Sequence, residues 1–205
     1  MHPSLLILLI GLLFLLSFGA LSYLRRQGLS IRFAIEGVIV TVAGALLRSA
    51  SVPVHPVLFI AILYLITMRV RLLVDVGNWL TTRRKYQQAL SLYQLALRLG
   101  PDTVSRQIVL INRGVTELRM RNPEAAYLSL QEALANEGVR LGAKYLAAGY
   151  YNLGLACRRT DREAEAVRHF NEAIDIFPNS IYAHGATQAL KKDGGTGSPS
   201  DAPGT

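Results

Sequence analysis

The apolar residues of this chain are concentrated in three runs near its N-terminus. Residues 3–24, PSLLILLIGLLFLLSFGALSYL, contain no charged side chain, residues 33–47 contain one acid, and residues 57–68 contain none. A helix needs about 20 mostly apolar residues to cross a hydrocarbon core, and the first run meets that length. The pattern predicts a membrane anchor over residues 1–69. Its expected helices are 4–24, 32–48 and 54–69.

Beyond residue 70 the apolar residues recur at helical spacing among charged ones, and three stretches repeat one pattern of small residues. Each begins with a glycine, has an alanine 12 positions later and a second alanine seven positions after that. Small residues in two antiparallel helices allow their backbones to approach closely, and stacked pairs bury a core that one pair cannot bury. The spacing therefore predicts helical hairpins. The predicted packing residues are Gly77, Ala89, Gly114, Ala126, Gly154, Ala166 and Phe170.

The third stretch resembles the tetratricopeptide repeat family, whose consensus reads W-x2-L-G-x2-Y, then A-x3-F, then P. Its matching residues are Tyr150, Leu153, Gly154, Ala166, Phe170, Ala173 and Pro178. The second stretch departs from the consensus, with Arg113 in place of leucine and Gly138 in place of proline. The resemblance implies an all-α fold, with a three-repeat helical solenoid over residues 70–190. Its expected parts are repeats at about 70–103, 107–138 and 147–180, a capping helix at 181–190 and a disordered tail at 191–205.

The resemblance also implies a binding groove, because the first helix of each repeat lines the concave face in this family and contacts a partner's peptide there. Carried over by alignment, the lining residues are Arg71, Asn78, Ile108, Ile111, Asn112, Val115, Arg119, Tyr151, Asn152, Leu155, Arg158 and Arg159. Val74 and Ile111 stand where a carboxylate clamp needs polar groups, so an amphipathic helix or an apolar peptide with acidic flanks fits better. The alternative occupant is the chain itself, through residues 181–190.

Basic residues flank the apolar runs unevenly, which indicates an orientation. Three lie between the first two runs, one lies between the second and third, and five follow the third closely. Basic loops favour the cytoplasmic side, so we expect the N-terminus outside a bacterial plasma (inner) membrane and the repeats in the cytoplasm. Three crossings satisfy this pattern, as does one crossing followed by a hairpin that dips into the bilayer. The expected membrane-interface residues are Arg25, Arg26, Arg69 and Arg71.

A cleaved signal peptide is a poor alternative for the first run, since only His2 precedes it and a signal needs a basic start. The single cysteine agrees with a reducing compartment.

The junction between anchor and repeats allows two interpretations. No glycine or proline lies between Pro56 and Gly77. One continuous helix over about 57–82 would hold the first repeat stiffly at the membrane, whereas a bend near Thr67–Arg71 would not. A proline at Val70 distinguishes the two, because proline damages a helix interior and is tolerated at a break.

Charge and candidate chemistry narrow the function further. The formal net charge of +8 is distributed without a basic stripe interleaved with aromatic residues, which disfavours nucleic-acid binding. Glu36 lies four residues after Arg32, so an ion pair at the interface is its simplest role and an ion or proton pathway the alternative. Small residues of the second run (Gly37, Thr41, Gly44 and Ala45) predict close helix contacts, either within the chain or in a homo-oligomer.

No enzymatic chemistry is indicated. Cys157 takes a position for a packing residue, His169 has no evident aspartate or asparagine to orient it, and the four histidines lack metal-ligand spacing. We therefore expect no catalysis, cofactor or metal. The expected partners are a protein and the lipid bilayer. The expected function is that of a membrane-anchored adaptor or assembly factor, and the alternative is a structural subunit whose transmembrane helices make the main contacts.

Overall fold

A computed structural model of the protein describes residues 3–24, 31–135 and 141–194. All regular secondary structure in these ranges is helical, which confirms the predicted all-α fold with hairpins of the tetratricopeptide type. The helices are α1 (Pro3–Leu24), α2 (Ile31–Ser49), α3 (Pro56–Thr82), α4 (Tyr86–Arg98), α5 (Thr103–Arg119), α6 (Pro123–Leu134), α7 (Ala143–Arg158), α8 (Glu163–Ile176) and α9 (Ile181–Gly194).

The chain divides into two compact units, within residues 1–106 and 107–205. The first repeat therefore belongs to the same unit as the apolar helices, whereas the sequence placed a boundary at residue 70. The reason is the continuity of α3, which runs through residue 70 without interruption and packs on α4 through its C-terminal half. Of the two interpretations of the junction, the structure has the continuous helix, about 40 Å long at 1.5 Å per residue.

In the first unit, α1 packs on α2 and on α3 around a small apolar core. Ile7, Ala45, Phe59 and Leu63 are its buried members. The small residues predicted to mediate close contact, Gly37, Thr41, Gly44 and Ala45, are all buried on α2. A Cβ added to Gly44 would lie 2.7 Å from the Phe59 ring, so these residues pack against the chain's own helices.

Among the described residues, two helical segments are long and apolar enough to cross a membrane: Ser4–Leu21 and Pro56–Thr82. The core helix of a soluble protein and a signal sequence can pass the same test of length and composition. Helix α2, the third expected crossing, has 19 residues and carries the charged residues Arg32, Glu36 and Arg48.

Each predicted hairpin is closed by a contact between its glycine and the large residue of the second helix. A Cβ on Gly77 would lie 2.5 Å from Tyr93, one on Gly114 would lie 2.5 Å from Leu130, and one on Gly154 would lie 2.7 Å from Phe170. These large side chains are all completely buried. Only glycine permits such proximity of the two backbones, which explains the interval that recurs along the sequence.

The turns that join the paired helices also share one geometry. Arg84, Arg121 and Asp161 have φ angles of 61°, 60° and 60°, and each donates its N–H to a carbonyl three residues earlier. The following residue donates to a carbonyl five residues earlier, which completes a Schellman motif. None of the three is the glycine that usually marks this position, so this motif could not be predicted from the residue types.

The departure of the second repeat from its consensus is explained by a buried polar network. Arg113 Nε donates to Glu117 Oε1 at 2.9 Å, and Ser129 Oγ donates to Glu117 Oε2 at 2.7 Å. Glu117 is only 4% exposed. A charged pair and a hydroxyl thus meet inside the second hairpin. Gly138, the second departure, lies outside the described residues.

Helix α9 follows the third hairpin and packs on α7 and α8. Ser180 caps it, since its Oγ accepts the Ala183 N–H at 3.0 Å. The helix extends to Gly194, four residues beyond the predicted cap, so the expected disordered tail does not begin at residue 191. Residues 195–205, the rest of that predicted tail, lie outside the described residues.

Candidate interaction surface

Helix α5 presents a continuous stripe of the predicted groove residues. Ile108, Asn112, Val115 and Arg119 follow one another at intervals of four, three and four, which places them on one helical face. The first three are half-buried and Arg119 is exposed. A partner could therefore reach this face of α5.

Helix α7 adds a second, similar stripe beside it. Asn152 and Leu155 are half-buried and Arg159 is exposed. Arg159 Nη1 donates to the Leu118 carbonyl at 3.0 Å, which joins α7 to the last turn of α5 and places a cation at the negative end of that helix. The α5–α7 surface is defined here as Ile108, Asn112, Val115, Arg119, Asn152, Leu155 and Arg159.

The two asparagines occupy equivalent positions, 40 residues apart. Asn112 Nδ2 donates to the Ile108 carbonyl and Asn152 Nδ2 donates to the Ala148 carbonyl, each at 2.7 Å. These bonds fix both side chains against their own helices. The α5–α7 surface therefore combines an apolar centre, two oriented amides and two arginines.

Three residues predicted for the groove are buried or are contacted by other parts of the chain. Ile111 is 3% exposed, because its side chain packs near Gly149 between the second and third repeats. The Tyr151 ring lies 6.1 Å from that of Tyr182, and Arg158 Nη1 donates to the Ala189 carbonyl at 3.1 Å. Helix α9 thus covers Tyr151 and Arg158. The chain itself occupies this part of the predicted groove.

The remaining groove candidates, Arg71 and Asn78, belong to the first unit. Arg71 is exposed. Asn78 Oδ1 accepts a hydrogen bond from the Tyr93 hydroxyl at 2.7 Å, which places it inside the first hairpin rather than on a binding face.

A second polar site, also in the first unit, joins α2 to α3. The predicted pair is present: Arg32 Nε donates to Glu36 Oε1 at 2.7 Å. Arg69 also donates to both carboxylate oxygens of Glu36, at 2.5 and 2.7 Å, which the sequence did not indicate. Arg69 was predicted to extend to lipid headgroups, but Glu36 holds it. Arg25 and Arg26 lie outside the described residues.

The same site connects the apolar helices to the first repeat. Arg32 Nη2 donates to the Leu99 carbonyl at 3.3 Å, just after α4 ends. Gly100, which follows, has a φ of +59° and forms the turn that exposes this carbonyl. The arginine thus binds both a carboxylate on its own helix and the C-terminal end of α4.

Cys157 is fully buried between α7 and α8, as expected of a packing residue. Burial and the neighbouring Glu165 carboxylate raise the pKa of its thiol to about 11. The thiol is therefore protonated at neutral pH, which disfavours a nucleophilic role. Burial also lowers the pKa of His169 below its usual 6.5. Glutamates rather than an aspartate or asparagine lie near His169, with Glu172 Oε2 3.9 Å from Nδ1.

Comparison with known proteins agrees with this architecture. A sequence model of the tetratricopeptide repeat family matches residues 147–180, which contain the third hairpin. The fold is similar to the crystal structure of the Sgt2 TPR domain from Aspergillus fumigatus, with a TM-score of 0.54 and 21% identity. That similarity covers 67% of this chain and 87% of the other. No curated protein sequence matches this chain.

Proposed function

We propose that this protein is a membrane-anchored adaptor or assembly factor that binds a peptide or helix of a partner protein on the α5–α7 surface. The observation that carries the proposal is the partial exposure of two parallel sets of groove residues on neighbouring helices. Repeats of this type are protein-interaction modules, which supports binding rather than catalysis.

The chemistry of the surface suggests the kind of partner. Ile108, Val115 and Leu155 supply an apolar centre, and Arg119 and Arg159 lie at its edge. An amphipathic helix with an apolar stripe and acidic flanks would complement both features. A nucleic acid would not, since the apolar centre offers nothing to a phosphate backbone.

Exposed apolar surface on the first unit supports the membrane anchor. Only 11% of the Ser4–Leu21 segment and 17% of Pro56–Thr82 is buried within the structure, whereas a soluble core helix is mostly buried. A patch of this size on a soluble protein marks an interaction or membrane surface. We place α1, α2 and α3 across a bacterial plasma membrane, with the N-terminus outside and the repeats in the cytoplasm, as the basic residues indicate.

The orientation is tested by adding protease to the outside of sealed cells that express the full chain with a C-terminal epitope. The epitope should survive, because the repeats lie behind the membrane, and it should be lost when the cells are permeabilised. Digestion of the epitope in sealed cells would contradict the orientation.

Partner binding is tested with a photo-crosslinking residue at Val115 in intact membranes. We expect one principal crosslinked protein, and we expect Arg119→Glu to reduce its capture by roughly tenfold through lost charge complementarity. Arg119 suits this test because it is exposed, whereas Arg158 and Arg159 bind backbone carbonyls and their reversal would also disturb folding.

Two matched controls accompany this experiment. Arg121→Glu makes the same change of charge two residues away, in the turn, and should leave capture unchanged. The same crosslinker at Leu128, which is 63% exposed on α6, should capture little of that protein. Equal capture from both positions, or equal effects of the two reversals, would exclude the α5–α7 surface.

A second candidate function, a structural subunit of a membrane complex, is favoured by the exposed side of α2. Ile35, Val38, Ile39 and Val42 are each about half exposed there. Under this alternative, Arg119→Glu leaves the complex intact, whereas Val38→Trp or Ile39→Trp on α2 disrupts it.

A further inference from the structure

Three side chains with different metal-binding atoms meet inside the third hairpin. Cys157 lies on α7, and Glu165 and His169 lie one turn apart on α8. The cysteine sulfur, a carboxylate oxygen and an imidazole nitrogen all lie within 4.8 Å of one another. Cys157 is 0% exposed and His169 is 6% exposed, so two of the three lie in the hairpin core.

The imidazole of His169 is an unexplained polar group in this core. Its Nδ1 is buried and has no hydrogen-bond partner among the described residues. Glu172 Oε2 is 3.9 Å away, which is beyond hydrogen-bond distance, and the Tyr150 ring stacks on the imidazole at 5.9 Å. Buried polar groups are nearly always satisfied, and a bound ion or water is among the explanations when one is not.

The second hairpin provides a comparison, because the polar side chains at the two equivalent positions satisfy each other's hydrogen-bonding groups. Glu117 and Ser129 occupy the positions equivalent to Cys157 and His169, and they hydrogen-bond directly at 2.7 Å. The two positions therefore face each other across a hairpin. In the third hairpin the facing pair is a thiol and an imidazole, and Glu165 adds a carboxylate beside them.

We propose that Cys157, Glu165 and His169 bind a transition-metal ion, with Zn²⁺ as the occupant. Thiolate, imidazole and carboxylate are the ligands that Zn²⁺ uses in proteins, whereas Mg²⁺ and Ca²⁺ prefer oxygen ligands alone. Zinc–ligand bonds of about 2.0–2.3 Å place the ligand atoms of a tetrahedral site roughly 3.5 Å apart. Closure from 4.8 Å thus requires about 1 Å of side-chain adjustment, and water completes the coordination.

A neighbouring helix supports the carboxylate ligand. The Tyr127 hydroxyl on α6 donates to Glu165 Oε2 at 3.3 Å, and the Arg162 guanidinium lies 4.0 Å from the Tyr127 ring centre. Such partners orient the ligands of a metal site. The thiolate and the carboxylate together balance the charge of a divalent ion, so the occupied hairpin buries no net charge from these three ligands.

Metal binding at this site is coupled to the release of one proton. When the sulfur–zinc bond forms, the Cys157 thiol releases its proton to solvent, and no electron changes hands. The imidazole of His169 is neutral at neutral pH and can donate a lone pair at once. Affinity should therefore increase by about tenfold per pH unit while the free thiol remains protonated.

The test is a titration of the full-length, chelator-treated protein in detergent with Co²⁺, followed by competition with Zn²⁺. We expect one Co²⁺ per chain, with a thiolate-to-metal absorption band in the near ultraviolet that Zn²⁺ abolishes. Cys157→Ser, nearly isosteric, should remove the band while far-ultraviolet circular dichroism stays unchanged. Glu165→Gln and His169→Gln should weaken binding by roughly tenfold or more.

Asp175→Asn is the matched control, because it removes an exposed acid from the same helix outside the cluster and should leave the titration unchanged. Zn²⁺ should also raise the melting temperature of the native protein by more than that of Glu165→Gln. An absent charge-transfer band, or a band that persists in Cys157→Ser, would overturn the proposal. The His169 nitrogen would then be assigned to an ordered water.

Discussion

Replacing Gly154 by leucine is expected to lower the free energy of unfolding by about 1–3 kcal/mol, and more if the hairpin cannot relax. Even a single Cβ at Gly154 would lie 2.7 Å from two carbons of the Phe170 ring. That ring is fully buried, with the Tyr151 ring on one side at 6.0 Å and the Arg158 guanidinium 4.8 Å from its centre. It has no space to move into, so the helices must separate. Reversible urea unfolding in detergent, followed by circular dichroism, measures the loss.

The control is Gly142→Leu, since the nearest atom to a Cβ there is in the Tyr145 ring at an ordinary 4.0 Å. Gly142 has φ −62° and ψ 142°, which leucine adopts without strain. A Phe170→Leu change should recover part of the loss in Gly154→Leu, because the two side chains compete for one space. Equal unfolding midpoints for Gly154→Leu and Gly142→Leu would show that the hairpin is not closely packed at this glycine.

The hairpins were predictable because their determinants are local. The interval of 12 residues from Gly77, Gly114 or Gly154 to the following alanine reports two helices and a turn of nearly fixed length, and the structure places a large residue against each glycine. The sequence shows that the second repeat departs from the consensus at Arg113, but it does not show that a buried ion pair and a hydrogen bond accompany this change. Glu117 is charged and one turn from Arg113, a pattern typical of solvated helix faces, yet both oxygens are engaged and the side chain is buried.

The candidate surface was predicted only in part, because tertiary contacts decide which groove positions stay open. The spacing of Ile108, Asn112 and Val115 identifies one helical face without further information. Whether Tyr151 is exposed depends on where α9 packs, and the sequence alone does not indicate that position. Alignment to a family therefore overestimates the groove at the end of a repeat array, where the capping helix covers residues that inner repeats leave exposed.

The polar site in the apolar helices was also predicted only in part, because one of its contacts is local in the sequence and another is not. The pair of Arg32 and Glu36 follows from a four-residue interval within one helix. The bond from Arg69 crosses 33 residues and depends on the register of α2 against α3, which apolar runs do not specify. Removal of Glu36 would leave two arginines without their carboxylate, so its acid has a structural role that its position in an apolar run alone does not reveal.

Val70→Pro is expected to destabilise the first unit by about 3 kcal/mol or more. Val70 lies in the interior of α3, where proline removes one hydrogen bond of the helix and its ring clashes with the carbonyl four residues earlier. Val70 is adjacent to Arg69, so distortion of the helix there should also weaken the hydrogen bonds from Arg69 to Glu36. The loss is measured by reversible thermal or denaturant unfolding of the full chain in detergent, with helix content read from circular dichroism.

Val57→Pro provides the matched control, because the first helical hydrogen bond of α3 is the one from the Phe59 N–H to the His55 carbonyl. Residue 57 precedes it and donates no bond within the helix, so proline there should cost little. Similar stability for the two variants would mean that α3 bends near residue 70 in solution. A large loss confined to Val70→Pro would mean that one rigid helix joins the apolar segment to the first hairpin. Movement of that hairpin relative to the anchor would then require unfolding part of α3, because the junction contains no hinge.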